Sequence, residues 1–251
     1  MKKLKINKLQ IFFMYMFVIS ISYIGCYCYC NIKDRQNNKE IKNIFYKFKN
    51  ESTIIEEKSQ KISQLEELQK ENIDIVGWIK ILGTDIDYPV LQTVNNSYYL
   101  THNYKKKYSY NGSIFLDKDV RLEKPSTNYL VYGHRNKNRQ MFDGLINYKK
   151  ETYYKEHPII QFTTINEDVE YEIIAVFLSR VYYNNEKDVF RYYYFIDANN
   201  KEEFEYYINS SKKGSLYDTG KTAQYGDQLL TLSTCEGSQK DGRLIVVARK
   251  K

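Results

Sequence analysis

The chain has 251 residues, 27% charged and 16% aromatic, with only 11 glycines and 3 prolines, a balance that excludes a disordered or low-complexity polymer and fits one folded, strand-rich domain with appendages. Its formal charge is +7, yet four of those positive charges belong to Lys2, Lys3, Lys5 and Lys8, ahead of any globular sequence. The remainder is nearly neutral and carries no basic stripe with interleaved stacking aromatics, which excludes a nucleic-acid-binding role.

Residues 9–30, LQIFFMYMFVISISYIGCYCYC, contain no charged side chain and reach the ~20 residues that span a bilayer as a helix. The lysines precede this run and no comparable cluster follows it. The positive-inside bias therefore predicts a cytoplasmic segment at 1–8, a transmembrane anchor at 9–30 and everything later outside the cell. The run is longer than a signal-peptide core and no small-x-small site closes it, so an uncleaved anchor is expected. Gly25-Cys26 is a poor lipoprotein site, because Tyr23 and Ile24 precede it.

Residues 31–75 form a helical extension. Ile41, Ile44, Phe45 and Phe48 repeat at helical spacing, and Ile62, Leu65 and Leu68 continue a second stripe, predicting two amphipathic helices that pack on the domain or space it from the membrane. Residues 76–251 change texture to short strands: GWIKI, IDYPVLQT, SIFLD, and NYLVYGH with His134 at its end. A short helix is expected at 141–148. IIQFTT and VEYEIIAVFLSRVYY form a hairpin about INED. A long excursion at 184–227 carries a helix at 201–209, the kind of insertion that serves as a lid or wall. Two last strands, 228–234 and 244–248, flank a polar loop with the turn signal Asp241-Gly242.

Cys235 ends the first of these two strands and Arg243 begins the second. It is the only cysteine beyond the anchor, so it has no disulfide partner in its own domain, and an unpaired thiol outside the cell is either buried or used. A buried structural cysteine and a chemical one are both compatible with its position. A nucleophilic thiolate needs a neighbouring imidazole or guanidinium, and acyl transfer needs a donor aimed at the developing oxyanion. His134, Cys235 and Arg243 supply those types, each beside a strand end, so convergence on one rim is expected. Asp117, Asp143 and Asp241 are candidates for orienting His134 or Arg243, and the residues alone do not choose among them. His102 and His157 have no Cys, His or Asp at metal-ligand spacing, so neither a metal nor a cofactor is expected.

TLSTC followed by an arginine ahead of a final strand, with YGH upstream, resembles the signature of the sortases. The resemblance is to class B: the helical extension, VGWIKILGTDIDYPVLQ, YYLTHNY, GSIFLD, MFDGL after the YGH, and the helix-bearing insertion before the cysteine strand. It implies a closed eight-stranded β-barrel and a membrane-anchored extracellular cysteine transpeptidase. Such an enzyme cleaves a C-terminal sorting motif through a thioacyl intermediate and transfers the acyl group to a peptidoglycan amine. Cys235 is implied as nucleophile, His134 as acid and base, and Arg243 as oxyanion partner, helped by a backbone N–H near the thiol such as that of Glu236. By the same similarity Ser233 and Thr234 contact the sorting peptide and Tyr207 belongs to a groove wall, although strand hydroxyls satisfied by backbone and helix-face packing explain these residues equally. RNKNRQ after the histidine is more basic than the class pattern, and EGSQKDG is a short loop between thiol and arginine. Both bear on which peptide and amine are accepted. A pilin-polymerising sortase and a hydrolytic cysteine peptidase are the alternatives. An L,D-transpeptidase is disfavoured, since its histidine stands two residues before its cysteine.

Overall fold

The computed structural model describes residues 7–46, 54–136 and 139–251. Lys2, Lys3, Lys5, Phe48 and the middle of the basic loop after His134 (137–138) lie outside the described residues.

Side-chain alternation closes the sheet on itself. Along the last strand, β8 (Gly242–Lys250), Leu244, Val246 and Ala248 join one apolar cluster while Ile245 and Val247 join another, as a strand buried on both faces requires. The other strands are β1 (Ile75–Lys80), β2 (Asp87–Leu91), β3 (Ile114–Leu116), β4 (Asn128–Tyr132), β5 (Ile159–Thr164), β6 (Asp168–Arg180) and β7 (Leu229–Cys235). They form a closed barrel in the order β1-β2-β3-β4-β7-β8-β6-β5, the eight-stranded fold the sequence led us to expect. The β2–β3 and β4–β7 pairs are parallel and the rest antiparallel. Inside lie Ile79, Val90, Val131, Phe162, Leu232 and Val246 among others.

Two sets of helices cover the outer faces. Helix α4 (Lys201–Lys213) buries Phe204, Tyr207 and Ile208 against Leu130, Phe177 and Ile245. Its start is capped by Asn200, whose side chain accepts from the Glu203 amide, and acidic and basic residues at its first and last turns complement the helix dipole. Helices α1 (Lys8–Phe45) and α2 (Ile54–Glu71) bring Ile41, Phe45, Leu65 and Leu68 onto Trp78, Leu91 and Phe115.

Two local expectations change. The apolar run and the first amphipathic stripe are one continuous 38-residue helix, because NIKDRQNNKE between them contains neither Gly nor Pro to stop it. The helix expected at 141–148 is a 3-10 run, Asp143–Lys149, followed by the short α3 (Glu151–Glu156). Among the described residues, α1 is the one helix long and apolar enough to cross a membrane, and its most apolar window is unburied.

Candidate active site

Strand pairing alone brings the three predicted residues level. In β4 and β7 the parallel register matches Tyr132 with Ser233. The pairing runs on past the strand, because the Gly133 amide donates to the Ser233 carbonyl at 3.2 Å and the Thr234 hydroxyl to the Gly133 carbonyl at 2.8 Å. His134 thus stands beside Cys235. On the other side Cys235 is the register partner of Arg243. Neighbouring strands lie about 4.8 Å apart, so the thiol sits between an imidazole and a guanidinium. Pleat parity also agrees: Leu230, Leu232, Val131, Leu244 and Val246 fill the barrel, which turns Ser233, Cys235, Tyr132, His134, Arg243 and Ile245 outward. Convergence is therefore on the outer face at the strand ends.

All three line one open pocket of about 370 Å³. The thiol is exposed, although the six β7 residues before it are buried. Two glycines permit the close approaches around it. A Cβ on Gly133 would meet the Phe142 ring at 2.6 Å, and one on Gly242 would meet the Glu236 carbonyl at 2.5 Å. Phe142 in turn donates its amide to the His134 carbonyl at 3.0 Å, closing the loop behind the histidine.

His134 Nε2 lies 2.7 Å from the Leu100 carbonyl. A carbonyl only accepts, so Nε2 carries the proton in this arrangement and Nδ1 is the ring nitrogen left to exchange one. Arg243 donates through Nη1 to the Asp241 and Gly242 carbonyls, at 3.1 and 2.9 Å. The three aspartates divide their tasks. Asp117, 4% exposed, accepts from the Tyr132 hydroxyl at 3.0 Å and from Asn96 Nδ2 at 2.8 Å, orienting two pocket residues. Asp143 faces Arg135 and accepts the Arg139 amide. Asp241 holds Arg243 through its backbone oxygen.

Ser233 is buried and shares a 2.8 Å hydrogen bond with the Tyr192 hydroxyl. Burial pushes the Tyr192 phenol up to about 12, against the opposing pull of Ser233 and Arg243. Thr234 is likewise buried, its hydroxyl tied to Gly133. The Glu236 amide, expected as an oxyanion donor, is engaged by the Gly242 carbonyl at 2.9 Å. It closes the 236–242 loop instead. The Glu236 carboxylate is buried, which pushes its pKa up, but the Ser238 hydroxyl and amide and Lys149 outweigh that and hold it at about 2.

Tyr207 is not at this pocket. It is fully covered on the inner face of α4, with its hydroxyl 2.7 Å from Thr231 Oγ1, which donates to Asn128 Oδ1 at 2.8 Å. Helical spacing located its apolar face correctly, but that face belongs to the core. The wall near the thiol comes from Val181, Tyr192 and Tyr193, and the opposite side from Asn96 and Leu100. The aromatic run YYYF at 192–195 was the available signal for the first group. Asn96 and Leu100 sit in an irregular turn with no periodicity to mark them. Among the described residues no group of His, Cys, Asp and Glu could hold a metal ion.

Comparison with known proteins identifies the family and the fold. A family model described as the sortase domain matches residues 79–251. Sortase B of Staphylococcus aureus (strain NCTC 8325 / PS 47) is 35% identical over 188 residues, covering 74% of this chain and 74% of its own. A Staphylococcus aureus sortase B–substrate complex superposes with a TM-score of 0.74 at 27% identity, over 88% of this chain and 97% of that one. A sortase B complexed with triglycine superposes at 0.77 and 28% identity, over 88% and 98%.

Proposed function

The chain belongs to the sortase family, as a cysteine transpeptidase of class B, and we propose that it is a membrane-anchored extracellular enzyme that cuts a C-terminal sorting motif of secreted proteins and joins them to a peptidoglycan amine. One observation carries the assignment of roles: an exposed thiol ends a buried strand, with His134 and Arg243 as its neighbours on the two adjoining strands in the same pocket. With its proton passed to His134 Nδ1, Cys235 Sγ attacks the scissile carbonyl carbon as a thiolate, and the carbonyl oxygen becomes an oxyanion facing the Arg243 guanidinium. His134 gives its proton to the leaving amine, and a thioester remains on Cys235. An incoming amine then attacks the thioester, His134 takes its proton, and the new amide leaves as the thiolate re-forms.

Support for the partners comes from the relatives, one bound to substrate and one to triglycine. Ser233 and Thr234 shape the pocket floor and the 192–193 segment its wall. The apolar, unburied part of α1 and the lysines before it support a single-pass anchor with the N-terminus inside. On this reading 1–8 is the cytoplasmic segment, 9–30 the anchor, 31–75 a helical extension and 76–251 the catalytic barrel.

The test is to incubate the full chain, in detergent, with a library of sorting peptides and assorted amines and read covalent products by mass. Thioacyl adducts on Cys235 and amine-dependent products are expected, and Cys235→Ala should give neither. Product formed equally with water alone would indicate a hydrolytic peptidase.

A further inference from the structure

The pitch of α1 determines which part of the barrel stands where the apolar run ends. From Tyr27 onward one face of the helix contacts the barrel. Asn31 and Asp34 accept from Asn111, Asp34 also from Ser109, Asn38 donates to Gln140, and Ile41 and Phe45 are fully covered. One turn before Asn31, still inside the uncharged run, Tyr27 meets Tyr110 edge-on with ring centroids 5.6 Å apart. Four residues of helix rise about 6 Å, so the loop at 104–111 lies at the depth where the chain leaves hydrocarbon.

That loop reads YKKKYSYN. Tyr108 is 71% exposed and Tyr110 50%, and on α1 Tyr29 is 63% exposed. Exposed tyrosines around a helix exit have the composition of a membrane interface belt, where the ring sits among acyl chains and the hydroxyl reaches headgroups. Charge contributes less. Lys105 pairs with Glu40 and Lys106 with Asp74, which leaves Lys107 and Lys33 to favour anionic headgroups.

We propose that Tyr108 and Tyr110, together with Tyr27 and Tyr29, seat this end of the barrel in the headgroup zone of the bilayer, an inference that rests on the membrane anchor proposed above. The seat is linked to the catalytic pocket. Asn136, two residues past His134, donates through Nδ2 to the Tyr110 carbonyl at 3.3 Å and to Asn111 Oδ1 at 3.0 Å. The thiol pocket is thereby held at the membrane surface instead of sampling the reach of a loose tether.

Depth-dependent fluorescence quenching tests this. The full chain is reconstituted into phosphatidylcholine and phosphatidylglycerol vesicles whose acyl chains carry bromine close to the headgroup. The native chain has a single tryptophan, Trp78, which is 1% exposed and supplies the baseline. In Tyr108→Trp, and separately in Tyr110→Trp, the added indole should emit at shorter wavelength and lose intensity to the shallow bromines. Tyr225→Trp, placed before β7 at the end of the barrel away from Cys235, should keep its intensity. Chains that float with the vesicles while both Y108W and Y110W stay as unquenched as Y225W overturn the seat and leave the anchor standing. A chain that does not float with the vesicles overturns both.

Discussion

At the scale of single residues, the guanidinium fork beside the thiol is the group whose chemistry is hardest to replace. Lysine keeps the charge of Arg243 but not the planar donors that reach two backbone carbonyls while facing the pocket. In the proposed role, Arg243→Lys should lower kcat by about 10²–10³, the loss typical of one oxyanion donor, with a smaller effect on KM. Steady-state transpeptidation measures this, and near-normal kcat would remove Arg243 from the oxyanion. Glu236 predicts a pH effect of definite sign. Its carboxyl is depressed from the usual 4.5 to about 2 by Ser238 and Lys149. The ionised form is thus favoured by folding, and its stabilisation is complete above pH 4.5 and lost as pH falls through about 2. The melting-temperature gap between the native chain and Glu236→Gln should be constant above pH 4.5 and close near pH 2. Cys235, His134 and Arg243 were legible in the sequence because strand patterns and turn signals locate strand ends. Tyr192 and Asn96 were not, since they reach the pocket from segments without periodicity. Tyr207 misled, because periodicity states which face of a helix is buried and not what lies opposite.

At the scale of elements, α1 joins a membrane-type sequence to a packed one without a break. Hydropathy changes at residue 31 while the backbone does not, so a reading by composition divides what the structure joins. The strands were easier, since alternating or continuous apolar runs such as those of β5, β6 and β8 survive in any topology, but the parallel β2–β3 and β4–β7 pairings depend on long-range contacts that no local pattern encodes. The docked half of α1 is held by a polar and an apolar contact of comparable weight. Asp34, 6% exposed, accepts from Ser109 at 2.7 Å and Asn111 at 2.8 Å. Asp34→Ala takes this acceptor from two buried donors and should destabilise by about 3 kcal/mol. Phe45→Ala empties a fully buried site and should destabilise by about 3–5 kcal/mol. Thermal unfolding compares them, and an effect below ~1 kcal/mol for both would mean that α1 is not docked in solution.

For the whole molecule, the barrel borrows part of its core from the segment that leads out of the membrane, and Trp78 reports on that debt. Its ring stacks on Phe45 with centroids 4.0 Å apart and planes 3° from parallel, and its Nε1 donates to Asp87 at 2.7 Å. Asp87 also accepts from the Tyr46 hydroxyl and pairs with Lys42, both contributed by the end of α1 or the residue after it. A chain beginning at residue 31 keeps all of these contacts, because Lys42, Phe45 and Tyr46 all lie beyond that point. A chain beginning at residue 54 loses them and uncovers the outer face of β1. Each large side chain stripped from that cluster removes about 1.5–3 kcal/mol of burial. The shorter chain should therefore show red-shifted tryptophan emission and a melting temperature lower by tens of degrees or no cooperative transition, whereas the longer one should match the full chain in both. The catalytic pocket should follow the same division, since Asp34 steadies Asn111 and Asn111 accepts from Asn136 beside the His134 loop. Transpeptidation of a soluble peptide should survive removal of residues 1–30 and fail on removal of 1–53. Equal activity in the two truncated chains would show that the barrel positions His134 without α1.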